Sequence, residues 1–196
     1  NNTTGTQNVA VGFGALDANT TADNNTAVGY GALSASTTAT ENVAIGSFAL
    51  TAATVGAQVA VGHGAMTATT TGANNTACGY LALNATTTGS RNTAIGFAAL
   101  DTQTTASYNT AVGYNGLTAN TSGAENTAVG QAALDANTTA SHNTAVGSQA
   151  LSGTTTGSAN TAVGRASLLQ NTTGINNVGV GYNSLYNNTT GYQNVA

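Results

Sequence analysis

A glycine returns along this chain with the regularity of a thread. Gly12, Gly29, Gly46, Gly62, Gly79, Gly96, Gly113, Gly130, Gly147, Gly164 and Gly181 each close an "A-V-G"-like triplet. Every interval is seventeen residues, except for sixteen between Gly46 and Gly62. A period this short leaves too few residues for a self-sufficient core, so each repeat must lean on its neighbours. Seventeen-residue hairpins in a bundle are the competing arrangement. The identical registers favour coil stacked on coil in parallel.

Internal repetition lets the chain be aligned with itself. Four residues after each glycine stand Leu16, Leu33, Leu50, Met66, Leu83, Leu100, Leu117, Leu134, Leu151, Leu168 and Leu185. These are the expected buried core. Four residues before it stand Asn8, Asn25, Asn42, Asn75, Asn92, Asn109, Asn126, Asn143, Asn160, Asn177 and the trailing Asn194, with Gln58 in the short coil. Asparagines stacked coil upon coil can pass amide hydrogen bonds along the stack, so this column reads as a structural ladder. Asn120, by contrast, belongs to a column that varies. Eight residues after the glycine every coil has Thr, from Thr20 to Thr189.

The stretch N-T/V-A-V-G alternates and is poor in helix formers, which predicts a short strand. Thr/Val and Val/Ile share one face; Asn, Ala and Gly share the other. Apolar residues belong inside, so Val and Ile are expected to point into the coil with Leu, and Cys78 with them as a small buried residue. The small uncharged face is then left outside, suited to the close approach of another chain. A second extended segment around "N-T-T-G" returns the chain to the next coil. In the short coil the turn before Val59 is expected to absorb the deletion, because a slip within the strand would exchange its two faces. The fold class is all-β: a parallel β-solenoid of about eleven seventeen-residue coils, ~50 Å tall at ~4.8 Å per coil.

Composition removes several classes of function. Val, Leu, Ile and Phe make up fewer than a fifth of the 196 residues, yet the formal charge is only −4 and the apolar residues are periodic, so disorder is not expected. Arg91 and Arg165 are the only Lys or Arg residues, which excludes a basic nucleic-acid footprint. No apolar run reaches membrane-spanning length. The sequence opens and closes in mid-repeat, and residues 1–196 are expected to be one repetitive segment of a longer fibre.

The strand motif, as in "ENVAIG" at Glu41–Gly46 and "NTAIG" at Asn92–Gly96, resembles the head repeats of trimeric autotransporter adhesins of the YadA type. Similar repeats occur in bacteriophage tail fibres and other surface fibres. These coils are longer than the family's usual head repeat, by an added "TTG" element. The resemblance implies a left-handed β-roll, three chains about one axis, and display on a cell or virion surface. It also implies that the head binds host surfaces. The implied role is a spacer and attachment surface, with copies of itself and a surface glycan or host receptor as partners.

Chemistry is sparse. His63 and His142 occupy different columns. Asp17, Asp101 and Asp135 share a column that elsewhere holds Ser, Thr, Asn, Leu or Tyr. The reading is solvated turn residues, no metal site, no cofactor and no catalytic cluster. A lone Cys forms no intrachain disulfide. One column could carry recognition: the residue after the glycine includes Phe13, Tyr30, Tyr80, Phe97, Tyr114 and Tyr182, rings that could stack on sugars or simply cover a bend. Two other functions compete. Ice binding fits the Thr content, but the paired Thr residues are adjacent rather than alternate. A solenoid enzyme needs an acid–base cluster that no single coil supplies.

Overall fold

The structure, a computed structural model, describes residues 2–196. Eleven three-residue strands precede the anchor glycines: β1 (Val9–Val11), β2 (Thr26–Val28), β3 (Val43–Ile45), β4 (Val59–Val61), β5 (Thr76–Cys78), β6 (Thr93–Ile95), β7 (Thr110–Val112), β8 (Thr127–Val129), β9 (Thr144–Val146), β10 (Thr161–Val163) and β11 (Val178–Val180). They form one parallel sheet in chain order. Equivalent columns pair, as in Thr110 with Thr127, Ala111 with Ala128 and Val112 with Val129. The chain is therefore a parallel β-solenoid. Bonding between coils continues past the strands: Leu117 N–H donates to the Ala133 carbonyl at 3.0 Å, and Ala119 N–H to that of Asp135 at 3.1 Å.

The alternation within the strand is as expected, but its two faces are exchanged. The central Ala of nine strands, Ala27 to Ala162, is fully buried. The Asn column is buried with it from Asn25 to Asn177, and only the end members Asn8 and Asn194 are half-buried. Val and Ile point outward: Ile45, Ile95, Val129, Val146 and Val163 are between 36% and 41% exposed. Cys78 is exposed too, which corrects its assignment to the core. The Leu column lies inside as expected from Leu16 to Leu168, and Leu185, beneath the last incomplete coil, is partly buried.

Hydrogen bonding explains the exchange. Asn109 Oδ1 accepts the backbone N–H of Asn126 at 2.9 Å, while its Nδ2 donates to the Gly123 carbonyl at 2.8 Å. The same pair of bonds recurs at Asn92, Asn126, Asn143 and Asn160. The carboxamide thus spans the coil from strand to return turn. Only an inward side chain can do this, and Ala, two residues on, must follow it inside. Asn120 also proves interior. It is fully buried, with bonds to Gln103, Gly123 and Asn137, so its varied column is interior too, with amides in some coils and Ser, Ala or Thr in others.

The invariant Thr has its own explanation. The backbone N–H groups of Thr70, Thr71 and Gly72 converge on the Thr87 carbonyl at 3.0, 3.2 and 3.2 Å. The Thr70 hydroxyl donates to the same oxygen at 3.1 Å. The "TTG" element is thus a backbone nest, whose guest is a carbonyl of the next coil.

The corners run through left-handed backbone. The Leu column sits at φ between 50° and 54° in every coil. That conformation costs an L-residue about 1–2 kcal/mol. Complete burial of Leu contributes about 1.5–3 kcal/mol, enough to hold the strain. The anchor glycines take φ from 124° to 148°, which side chains rarely tolerate. A Cβ on Gly113 would also collide with the Gly130 carbonyl.

The short coil behaves as expected in register. Val43 still pairs with Val59, and Val59 with Thr76. The missing residue falls in the turn between Thr54 and Ala57: Thr54 N–H still donates to the Thr70 carbonyl at 2.9 Å and Ala57 N–H to that of Thr40 at 3.3 Å. Gln58 takes the Asn position, and its longer side chain bonds the Gly72 carbonyl and the Asn75 N–H. Val59 and Val61 point outward with the rest of their column, not inward as expected.

Two glycines separate backbone need from mere small size. Gly113→Ala is expected to lower stability by several kcal/mol or prevent folding, because φ is 136° and the next coil blocks the Cβ. Gly116 occupies a column that is otherwise mostly Ala, and an added Cβ meets nothing closer than the Ala111 Cβ at 3.5 Å. Gly116→Ala should therefore stabilise by about 0.4–1 kcal/mol. Chemical denaturation of the two variants checks both signs.

Candidate functional site

With Asn, Ala and Leu turned inward, the outer surface of the sheet is a band of Thr/Val and Val/Ile columns. Among the described residues no charged side chain belongs to either column. The residue after each anchor glycine lies along one margin of this band, and there the rings collect.

Phe13 stacks on Tyr30 with centroids 5.5 Å apart and planes within 13°. His63, Tyr80, Phe97 and Tyr114 continue the stack at 5.3, 5.3 and 5.2 Å. Coil three has Ser47 at the usual position. Phe48, one residue later, crosses the gap and meets Tyr30 and His63 nearly edge-on, at 78° and 82°. Seven rings therefore run without a break from Phe13 to Tyr114. Tyr182 does not join them; it lies beneath Arg165, whose guanidinium carbon is 5.6 Å from the ring centroid.

This geometry changes what the rings can do. A sugar stacks on a ring face, and the faces of Tyr80 and Phe97 are turned to other rings. The middle of the ladder is thus a brace between coils, with its edges to solvent, rather than a platform. Phe48 and His63 complete the ladder. His63 follows its anchor glycine as the other rings do, so its column was legible although it was expected to face solvent, whereas Phe48 sits one column away.

Stacking also builds a row that no single coil contains. Arg91, Tyr108, Glu125 and His142 each precede a ladder Asn, so they come from four successive coils. Arg91 lies over the Tyr108 ring at 5.3 Å and donates to its hydroxyl. His142 Nδ1 is 3.3 Å from Glu125 Oε2. All four are exposed, and exposed pairs of this kind contribute little to stability. The signal for the row was available, as the same column seventeen residues apart.

The aspartates remain separate. Burial pushes the Asp101 carboxyl up, against a smaller downward pull from the Asn84 side chain. Asp23 is held below the ordinary range by the backbone N–H of Thr6 and then by its hydroxyl. Among the described residues no group of three or more His, Cys, Asp or Glu could hold a metal ion. No family model, curated protein or solved structure matches the chain.

The ladder's role as a brace has a measurable consequence. Phe97→Ala removes two stacked contacts at about 0.5–1.5 kcal/mol each and should cost about 1–3 kcal/mol. Tyr182→Ala removes one exposed cation–π contact and should cost less than about 1 kcal/mol. Equal losses in urea unfolding would mean that stacking contributes nothing to the coil stack.

Proposed function

We propose that the chain is a structural segment of an extracellular fibre or adhesin, displayed on a cell or virion surface. In this reading it holds distance, and it associates with copies of itself through the outward Val/Ile band, three about one axis. The observation that carries the reading is the band itself. It carries no charge, runs ~50 Å along the stack, and leaves Ile45, Ile95, Val129, Val146 and Val163 36% to 41% exposed in one column. The core of each coil holds one large side chain, so association adds the apolar burial that the coil lacks. The likeness of "NVAIG" and "NTAIG" to adhesin head repeats and phage fibre repeats supports the same assignment. Ala111 does not test this reading. It is buried in its own coil, and Ala111→Arg would disrupt the monomer whether or not an interface exists.

The outward band also gives the ice-binding reading a specific support. Thr76, Thr93, Thr110, Thr127, Thr144 and Thr161 form a strand column alternating with the Val/Ile column, on one uncharged surface. That reading requires the band to stay bare, whereas self-association covers it.

Cys78 lies in the Val/Ile column beside Ile95 and reports which is true. The fibre reading predicts a mass three times the 19.0 kDa of one chain by sedimentation equilibrium, with Cys78 slow to react with a thiol reagent. Ile95→Lys should yield single chains with a reactive Cys78. A wild-type chain that sediments singly, with Cys78 reacting as a free thiol, would contradict self-association. Thermal hysteresis in that preparation would then favour ice.

A further inference from the structure

The sequence Asn-x-Thr or Asn-x-Ser, whose Asn is the acceptor for N-linked sugar, recurs along this chain. The fold sorts its copies into two columns. Asn120-Thr121-Ser122, Asn137-Thr138-Thr139 and Asn171-Thr172-Thr173 begin seven residues after an anchor glycine, inside the coil. Asn24-Asn25-Thr26 and Asn74-Asn75-Thr76 begin five residues before one, outside it. The interior copies are closed. The Asn120 carboxamide donates to Gln103 Oε1 at 3.1 Å and to the Gly123 carbonyl at 2.9 Å, and it accepts the Gly123 N–H at 3.1 Å. Asn137 is held in the same way by Asn120 and Ala140. Asn171 donates to the Gly174 carbonyl at 3.0 Å and accepts from Asn188. All three are fully buried, while Ser122, Thr139 and Thr173, two residues on, are exposed. Amide and hydroxyl lie on opposite sides of the coil wall, and no enzyme can meet both.

Asn74 is the reverse case. It is exposed in mid-stack, with the small Ala57 below it in the column and Arg91 above. Arg91 spends its guanidinium on Tyr108, one coil further up. The adjacent Asn75 spends its carboxamide on the Asn92 N–H and the Gly89 carbonyl, whereas no side-chain hydrogen bond holds Asn74 among the described residues. Its left-handed backbone, at φ 59°, is one that Asn tolerates. Strand alternation puts Thr76 on the outward face with Asn74. The Thr76 hydroxyl is unspent, unlike that of Thr70, which donates to the Thr87 carbonyl. Amide and hydroxyl are thus presented together, free and on one face. Asn24 and Thr26 repeat the arrangement, with Asn24 at φ 60°.

We infer that Asn74 and Asn24 are acceptor sites for N-linked glycosylation of the folded chain, and that the modification follows folding. In the transfer the Asn amide nitrogen attacks the anomeric carbon of a sugar activated as its nucleoside diphosphate. The new N–C bond replaces the C–O bond to phosphate, one amide proton is lost, and the nucleoside diphosphate leaves. The interior copies set the order of events. A sugar on Asn120 or Asn137 has no room within the coil, so a chain modified first cannot stack. Both sites belong to one chain, and neither rests on the fibre reading.

An N-glycosyltransferase that reads Asn-x-Thr, supplied with uridine diphosphate glucose, tests this on the folded Ile95→Lys chain, whose outer band no second copy covers. Mass-spectrometric mapping should find glucose on Asn74 and Asn24. Transfer there should be at least about tenfold faster than to Asn120, Asn137 and Asn171, whose exposure requires the coils to open. Synthetic peptides spanning residues 116–124 and 133–141 should accept glucose at Asn120 and Asn137. Thr76→Val, made in the same chain, places in the strand column the residue that Val43 and Val59 already supply. That variant should melt as its parent does and lose the sugar at Asn74, while Asn24 keeps its own. Four outcomes each overturn the inference. They are a folded chain without glucose on Asn74 and Asn24, equal rates at the interior sites, an Asn74 sugar that survives Thr76→Val, and peptides that refuse glucose. The last would place the block in the flanking residues rather than in the fold.

Discussion

The asparagine carboxamide that joins strand to return turn is the contact on which the remaining structure depends. Each interior Asn accepts a backbone N–H from the coil above and, in most coils, donates to a turn carbonyl of that same coil. The turn leaves the sheet with backbone groups that no strand can pair. Unpaired in a dry interior, each would cost about 1–3 kcal/mol. Placing the amide inside satisfies them, and strand alternation then fixes everything else. Ala follows Asn inward; Thr, Val and Ile are left outside.

A core built this way is narrow. Leu, two columns that are mostly Ala, the Asn ladder and a mixed column of amides, Thr, Ser and Ala fill it, and rings outside brace the corner. The stability of such a stack grows with the number of interfaces between coils rather than with the depth of any one. Leu185, only partly buried under the last incomplete coil, shows what a coil lacks without a full neighbour. The left-handed backbone at every Leu is tolerable for the same reason, since the strain is repeated but so is the burial that offsets it. The outward band of Thr, Val and Ile is the residue of these choices.

Much of this was legible in the residues. The period of seventeen, the strand before each glycine, the parallel stacking and the Leu core follow from columns that can be read by eye. The register across Gln58 follows as well. What misled was the rule that larger apolar side chains go inside. It ranks Val above Asn by transfer energy and ignores that Asn here meets backbone groups that Val cannot. The columns carried the correction: Asn and Ala scarcely vary, whereas the outer positions exchange Thr with Val, and Val with Ile or Cys. Invariance without charge meant burial, not an interface. The row of Arg91, Tyr108, Glu125 and His142 is assembled from single residues of four successive coils, so it shows only when that column is read down the stack. Phe48 could not be placed without coordinates, since its ring leaves its own column to fill a neighbour's.

Exchange of the Asn side-chain amide protons tests the inward ladder most directly. Asn126 and Asn143 are buried and doubly bonded, while Asn24 and Asn176 are exposed one position before the ladder and serve as internal references. The Ile95→Lys chain, if it sediments singly, removes any covering by a second copy. In that chain the account predicts side-chain amide protons of Asn126 and Asn143 that exchange far more slowly than those of Asn24 and Asn176. Exchange of all four at the rate of a free asparagine would place the carboxamides on the surface, and the inside and outside of every coil would have to be exchanged again.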